Sequence, residues 1–158
     1  MSYQGRVRII GRDEEEDAMR LCRQLHLENG IFKMDDTKVR VMLARAFDRQ
    51  GGILAGIGSK GKLEGLMYLL LSSFWYTNDP HWEELFVYVD PDFRKSRNAL
   101  ELLHFAKWCT DQTEYPLFIG ILSDHSTERK ELLYERQFQK SETNGRFFIY
   151  RKKKKSAA

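Results

Sequence analysis

Cysteine is scarce in this chain, with only Cys22 and Cys109 in 158 residues. Both fall on the apolar stripes of predicted helices, which fits reduced core thiols rather than a disulfide or a nucleophile. The four histidines, His26, His81, His104 and His125, show no metal-ligand spacing, among themselves or with the cysteines. No structural metal is expected. No apolar run reaches the ~18 residues of a membrane span, and the longest, Leu66 to Phe74, is broken by Tyr68 and two serines. The opening MSYQGRVRII lacks the apolar core of a secretion signal. These absences make a cytoplasmic protein without membrane contact the expectation. There is also no Gly-x-Ser-x-Gly elbow. Asp124-His125-Ser126 are sequence neighbours, which cannot form the spatial relay of a hydrolase, so a turn with helix capping is expected there.

What is present is a chain 42% hydrophobic and 13% aromatic, enough for one globular domain with a full core. The net charge of +3 is concentrated at one end. Arg151-Lys152-Lys153-Lys154-Lys155 carries five positive charges, which leaves −2 (+3 less 5) for the rest. Residues 1–150 are read as a single domain and 151–158 as a basic, disordered tail. Such a tail fits contact with nucleic acid or another polyanion, and equally a solvated end. No basic stripe with interleaved aromatics runs through the body. The sequence leaves monomer and homodimer both open.

Val7 to Ile10 reads as a strand. A helix begins at Asp13, with Glu16 three residues on in the manner of a capping box, and Asn29-Gly30 stops it. A second helix spans about Asp36 to Asp48 and ends at Gly51-Gly52. Ile53–Ile57 and Leu63–Phe74 form a hairpin around Ser59-Lys60-Gly61-Lys62. The polar and aromatic loop 75–82 follows, where Trp75, Tyr76 and Trp82 either line an acceptor pocket or simply pack. A strand from about Glu83 to Val89 leads to a helix from about Asn98 to Thr110. Pro116 to Leu122 reads as a buried parallel strand, Thr127 to Arg136 as helix, and Arg146 to Tyr150 as a last strand after the turn Thr143-Asn144-Gly145. The order is β-α-α-β-β-β-α-β-α-β-β, with no internal repeat.

The stretch VYVDPDFRKSRNALELL (87–103) passes from strand to helix through a linker with three cations. A helix N-terminus presents unsatisfied N–H groups and the positive end of its dipole. A tight strand-to-helix loop can therefore cradle phosphate. Arg94, Lys95 and Arg97 add charge, and Ser96 or Asn98 can cap or donate. A cationic surface loop without a ligand has the same composition.

At this junction the chain resembles the GNAT superfamily of N-acetyltransferases. Arg94-Lys95-Ser96-Arg97-Asn98-Ala99 matches the first Arg and last Ala of the family's Gln/Arg-x-x-Gly-x-Gly/Ala loop, and Val89-Asp90-Pro91 matches its Val-x-Pro. Arg97 stands where the family usually has Gly. Thr127 to Arg136 resembles the family's Asn-x-x-Ala-x-x-x-Tyr helix, with Tyr134 at the tyrosine, Thr127 for Asn and Lys130 for Ala. The Gly-Phe that normally follows is reduced to Phe138. The resemblance implies an α/β fold with a mostly antiparallel, mixed sheet of about 6–7 strands flanked by about four helices. It implies acetyl-CoA as cosubstrate, with its pyrophosphate on the amides of residues 95 to 99 beside Arg94. Thr127 belongs to that site, and the main chain of Val87 and Val89 pairs with the pantetheine arm. The implied activity is acetyl transfer to a primary amine of a small molecule, a peptide or protein, or a modified nucleobase. The alternative is a GNAT-fold binding protein that has lost transfer chemistry, to which the departures in the loop point.

Acetyl transfer needs a base for the amine, a stabilised oxyanion and a proton for the departing thiolate. Glu83 and Glu84 are the candidate bases, or exposed carboxylates at a strand start. Strict alternation puts Glu83 on a face with Leu85, Val87 and Val89, and Glu84 with Phe86 and Tyr88. The family spacing, six residues before the Val of Val-x-Pro, selects Glu83. Tyr134 is the implied acid, and the Val87 N–H the implied oxyanion donor.

Overall fold

A computed structural model describes residues 2–121 and 127–138 of the chain. The elements run β1 (Arg8–Ile9), a 3-10 turn (Arg12–Glu14), α1 (Glu15–Asn29), α2 (Asp36–Phe47), β2 (Gly52–Ser59), β3 (Lys62–Ser73) and β4 (Pro80–Val89). A second 3-10 turn (Pro91–Phe93) leads to α3 (Asn98–Thr113), β5 (Leu117–Phe118) and α4 (Thr127–Gln137). The described residues hold one five-stranded sheet in chain order, so the count is lower than the sequence suggests. The predicted strand 146–150 with its turn 143–145, residues 122–126 and the basic tail lie outside the described residues.

The first four strands are antiparallel, as short connections demand. The β2–β3 hairpin turns at Lys60-Gly61, and Gly61 has φ +76°, a backbone conformation in which a Cβ is strained. The predicted capping box at the start of α1 does not form, because surface cations claim both carboxylates. Asp13 pairs with Lys60 and Glu16 with Arg40, and no side chain caps the 3-10 turn or α1. At α2 the Asp35 carboxylate caps the helix, accepting from the Lys38 N–H at 3.1 Å.

Both sheet faces are buried. One carries Ile57, Met67, Leu69, Val87 and Val89 against Leu102, Leu103, Phe105 and Ala106 of α3, with Leu133 and Tyr134 of α4 packed alongside. The other carries Leu54, Leu66, Tyr68 and Tyr88 against Met19, Leu21 and Leu43 of α1 and α2. Cys22 and Cys109 sit in these two cores. Burial pushes their thiols up to about 11 and about 12, so neither is a ready nucleophile.

The predicted buried strand 116–122 is the clearest departure within the described residues. Only Leu117 and Phe118 pair with β4, in parallel, opposite Trp82 and Glu83. Phe118 is exposed, and residues 119–121 are not strand. The chain leaves the sheet after two pairs, so β4 runs on towards Val89 without a β5 partner. Among the described residues no strand pairs with that side of β4 beyond Glu83.

Candidate active site

Where β4 loses its neighbour, a cavity of about 190 Å³ lies against Val87, Tyr88 and Val89. Phe93, Arg94, Ser96, Ala99 and Leu103 close it from the loop and α3, and Arg129, Lys130, Leu133 and Tyr134 from α4. Glu28 and Asn29 of α1 complete the wall. Of the residues expected around a cofactor, Val87, Val89, Arg94, Ser96 and Ala99 therefore share one cavity. Lys95 and Arg97 are exposed and Asn98 is buried, and none of the three lines it. The side chain of Thr127 lies outside the described residues.

The loop is held by its own hydrogen bonds. Phe93 N–H donates to Asp90 C=O at 2.8 Å and Ser96 N–H to Phe93 C=O at 3.1 Å. The Asn98 N–H donates to Ser96 Oγ at 3.2 Å, so Ser96 serves the start of α3. Asn98 Nδ2 donates to Glu64 Oε2 at 2.7 Å. The amides of Ser96 and Asn98 thus point inward. Arg20 fixes the base of the loop from α1, donating to Asp90 Oδ2 at 2.8 Å and to Leu63 C=O at 2.7 Å.

Arg94 is already engaged. Its Nη2 donates to both Glu28 carboxylate oxygens at 2.8 and 2.7 Å, and its Nε to Val89 C=O at 3.1 Å. The guanidinium lies over the Tyr88 ring at 5.4 Å. Tyr88 Oη donates to Glu28 Oε1 at 2.7 Å. The phenol's pKa is raised by burial and then by that carboxylate.

The two candidate carboxylates part company at a β-bulge. Glu84 lies opposite Leu69 and Phe86 opposite Tyr68, so Leu85 is an extra residue without a partner on β3. Leu85 is exposed. Residues directly opposite share a face, and Leu69 belongs to the α3-side core, as do Met67 and its partner Val87. The bulge therefore resets the alternation. Glu84, not Glu83, shares a face with Val87 and Val89, which corrects the strict-alternation expectation. Glu83 lies opposite Leu70, which packs against the other core. Its side chain is half exposed and 3.8 Å from His81 Nε2.

Glu84 meets Tyr134. The Tyr134 hydroxyl donates to Glu84 Oε2 at 3.4 Å, a long contact. Burial pushes the Glu84 carboxyl up to about 7, against the opposing pull of the Gly120 backbone, Lys130, Tyr134 and the Val87 backbone. The same burial, with the Glu84 charge adding to it, raises Tyr134 well above an ordinary phenol and keeps it protonated. Lys130, one turn before Tyr134, is lowered by burial, an effect that Glu84 partly offsets. A base near neutrality beside a protonated phenol suits proton transfer.

Trp82 is buried and donates Nε1–H to Thr113 Oγ1 at 2.9 Å, so it packs against α3. Trp75 is 94% exposed and Tyr76 68% exposed. Sequence reasoning passed over Glu28, which no local pattern connects to Arg94. In the sequence Lys130 stands out only as a departure from Ala, although its position four residues before Tyr134 puts both on one helix face.

No protein-family model matches the chain, and no curated protein sequence does. Solved structures do match it. An aminoglycoside acetyltransferase from an uncultured soil metagenomic sample, in complex with trehalose, superposes with TM-score 0.70 at 13% identity, covering 93% of this chain and 95% of that one. AAC(6')-Iy in complex with the bisubstrate analog CoA-S-monomethyl-acetylneamine gives TM-score 0.68 at 15% identity, covering 93% and 97%. A ribosomal-protein-alanine N-acetyltransferase from Brucella melitensis biovar Abortus 2308 gives 0.68 at 14% identity, covering 92% and 96%. The chain shares the fold of these acetyltransferases. Among the described residues, no helix is long and apolar enough to cross a membrane.

Proposed function

We propose that the protein transfers the acetyl group of acetyl-CoA to a primary amine, with Glu84 as base and Tyr134 as acid. The observation that carries this reading is the Glu84–Tyr134 contact beside a cavity that Tyr134 lines together with Val87, Tyr88 and Val89 of β4. The pantetheine arm pairs with the Val87 and Val89 main chain as an added strand would. Its pyrophosphate lies by the loop 94–99, where Arg94 exchanges Glu28 for phosphate oxygen.

The amine gives a proton to Glu84, directly or through one water, and its nitrogen attacks the thioester carbonyl. The Val87 N–H, which donates to the Glu84 carboxyl, exchanges that partner for the oxyanion as Glu84 takes the proton. When the C–S bond breaks, the sulfur takes the Tyr134 proton. A phenol raised by burial is a weak acid alone, so Glu84, now protonated, returns a proton to Tyr134 as it donates. The amine proton thus reaches the thiol through the pair. Two measurements test this: calorimetric titration with acetyl-CoA, and thiol release across a panel of small amines, amino-terminal peptides and amine-bearing nucleobases. Binding with amine-dependent release is expected. Binding without release from any amine favours the catalytically silent reading, which the inward amides of Ser96 and Asn98 and the Glu28–Arg94 pair support. No binding overturns the acetyltransferase reading.

A further inference from the structure

The cavity contains an amine of its own. Lys130 lines it from α4 together with Tyr134, and the two are four residues apart, one turn along the same helix face with Cβ atoms about 5–6 Å apart. A lysine stem exceeds that separation in reach, so the ε-nitrogen can come to the place where Tyr134 meets Glu84. Among the described residues no hydrogen bond or ion pair holds it, unlike Arg94 or Arg20. The charges of Glu84, Arg94 and Glu28 act on it, and Arg94 and Glu28 line the same cavity.

We propose that Lys130 is a self-acetylation site, its ε-amine taking the acetyl group from acetyl-CoA bound in the cavity. The inference rests on the acetyltransferase reading above. Burial favours the neutral, nucleophilic amine, as its lowered proton affinity reflects. The nitrogen attacks the thioester carbonyl, the N–C bond forms and the C–S bond breaks. The proton lost from nitrogen ends on the departing sulfur by the Glu84–Tyr134 route, so the products are acetyl-lysine and CoA thiol. The acetamide then occupies the space of the incoming thioester, which limits the reaction to one equivalent and leaves a neutral side chain in the cavity.

The test uses the full chain with acetyl-CoA and no added acceptor, followed by intact-mass measurement and fragment mapping. One acetyl group per chain is expected at Lys130, formed at least ~10-fold faster than at the exposed Lys38, Lys62 and Lys95. Desulfo-CoA, which occupies the cavity without an acetyl group, should suppress it. Lys130→Arg should keep its melting temperature and lose the modification. No acetyl on Lys130 while calorimetry shows acetyl-CoA bound overturns this proposal and leaves the acetyltransferase reading standing. So does labelling spread evenly over surface lysines, or labelling insensitive to desulfo-CoA. An absence of acetyl-CoA binding overturns both.

Discussion

Tyr134 and Glu84, fifty residues apart in sequence, meet at 3.4 Å between Tyr134 Oη and Glu84 Oε2. One comes from α4 and the other from the point on β4 where β5 has just left the sheet. Everything proposed for this protein turns on that meeting.

Replacing Tyr134 with Phe keeps the ring, and so its packing on Phe138 at 6.0 Å between centroids. It removes only the proton donor. Turnover should fall by roughly 10²–10⁴-fold, with acetyl-CoA affinity within a few fold of the native protein. Calorimetry beside steady-state kinetics checks the split. A parallel loss of binding would assign the hydroxyl to holding the cofactor.

Glu84 makes stability depend on pH in a definite direction. Its carboxyl is raised from 4.5 in the unfolded chain to about 7 in the fold. Below pH 4.5 both states are protonated and nothing is lost. As pH rises from 4.5 the unfolded chain ionises first, so stability falls progressively up to about 7 and is level above it, where the fold carries the buried charge. Glu84→Gln removes that cost, so it should stabilise the protein by about 2–3 kcal/mol above pH 8 and have little effect near pH 4. Urea unfolding of the two proteins across pH measures it.

Arg94 is held by Glu28, and the phosphate must compete for it. Arg94→Ala should weaken acetyl-CoA binding by about tenfold, the scale of one charge-assisted hydrogen bond. Glu28→Gln should instead tighten binding several-fold by releasing the guanidinium. Titrations at low and moderate salt test both, since screening shrinks the Arg94 effect.

The order of helices and strands was legible because period and turn chemistry are local. The 3.6-residue stripes, Asn29-Gly30 and Lys60-Gly61 sit within a few residues of the boundaries they set. The strand-to-helix junction was legible for the same reason, since a strand feeding a helix is a local event, whereas the α1 and α4 walls of the cavity come from distant sequence. The face of Glu84 was not. Alternation assumes a regular strand, and the one extra residue at Leu85 reverses it for every position towards the strand's start. Nor was the early departure of β5, because the apolar run 116–122 satisfies the pattern of a longer strand, while pairing depends on what lies beside it. The Glu28–Arg94 pair spans 66 residues and rests on tertiary geometry alone.

The most direct test of the central claim compares Glu83→Gln and Glu84→Gln in the thiol-release assay with an amine that the native protein accepts. Glu83 is half exposed beside His81, so its variant should retain activity within about threefold, as expected of a surface change. Glu84→Gln should lose roughly 10²–10⁴-fold, and with it the rise in kcat/KM through about pH 7 that the native carboxyl sets. Native-like rates in Glu84→Gln, or the larger loss in Glu83→Gln, would contradict the assignment of the base to the residue that the bulge turns towards Tyr134.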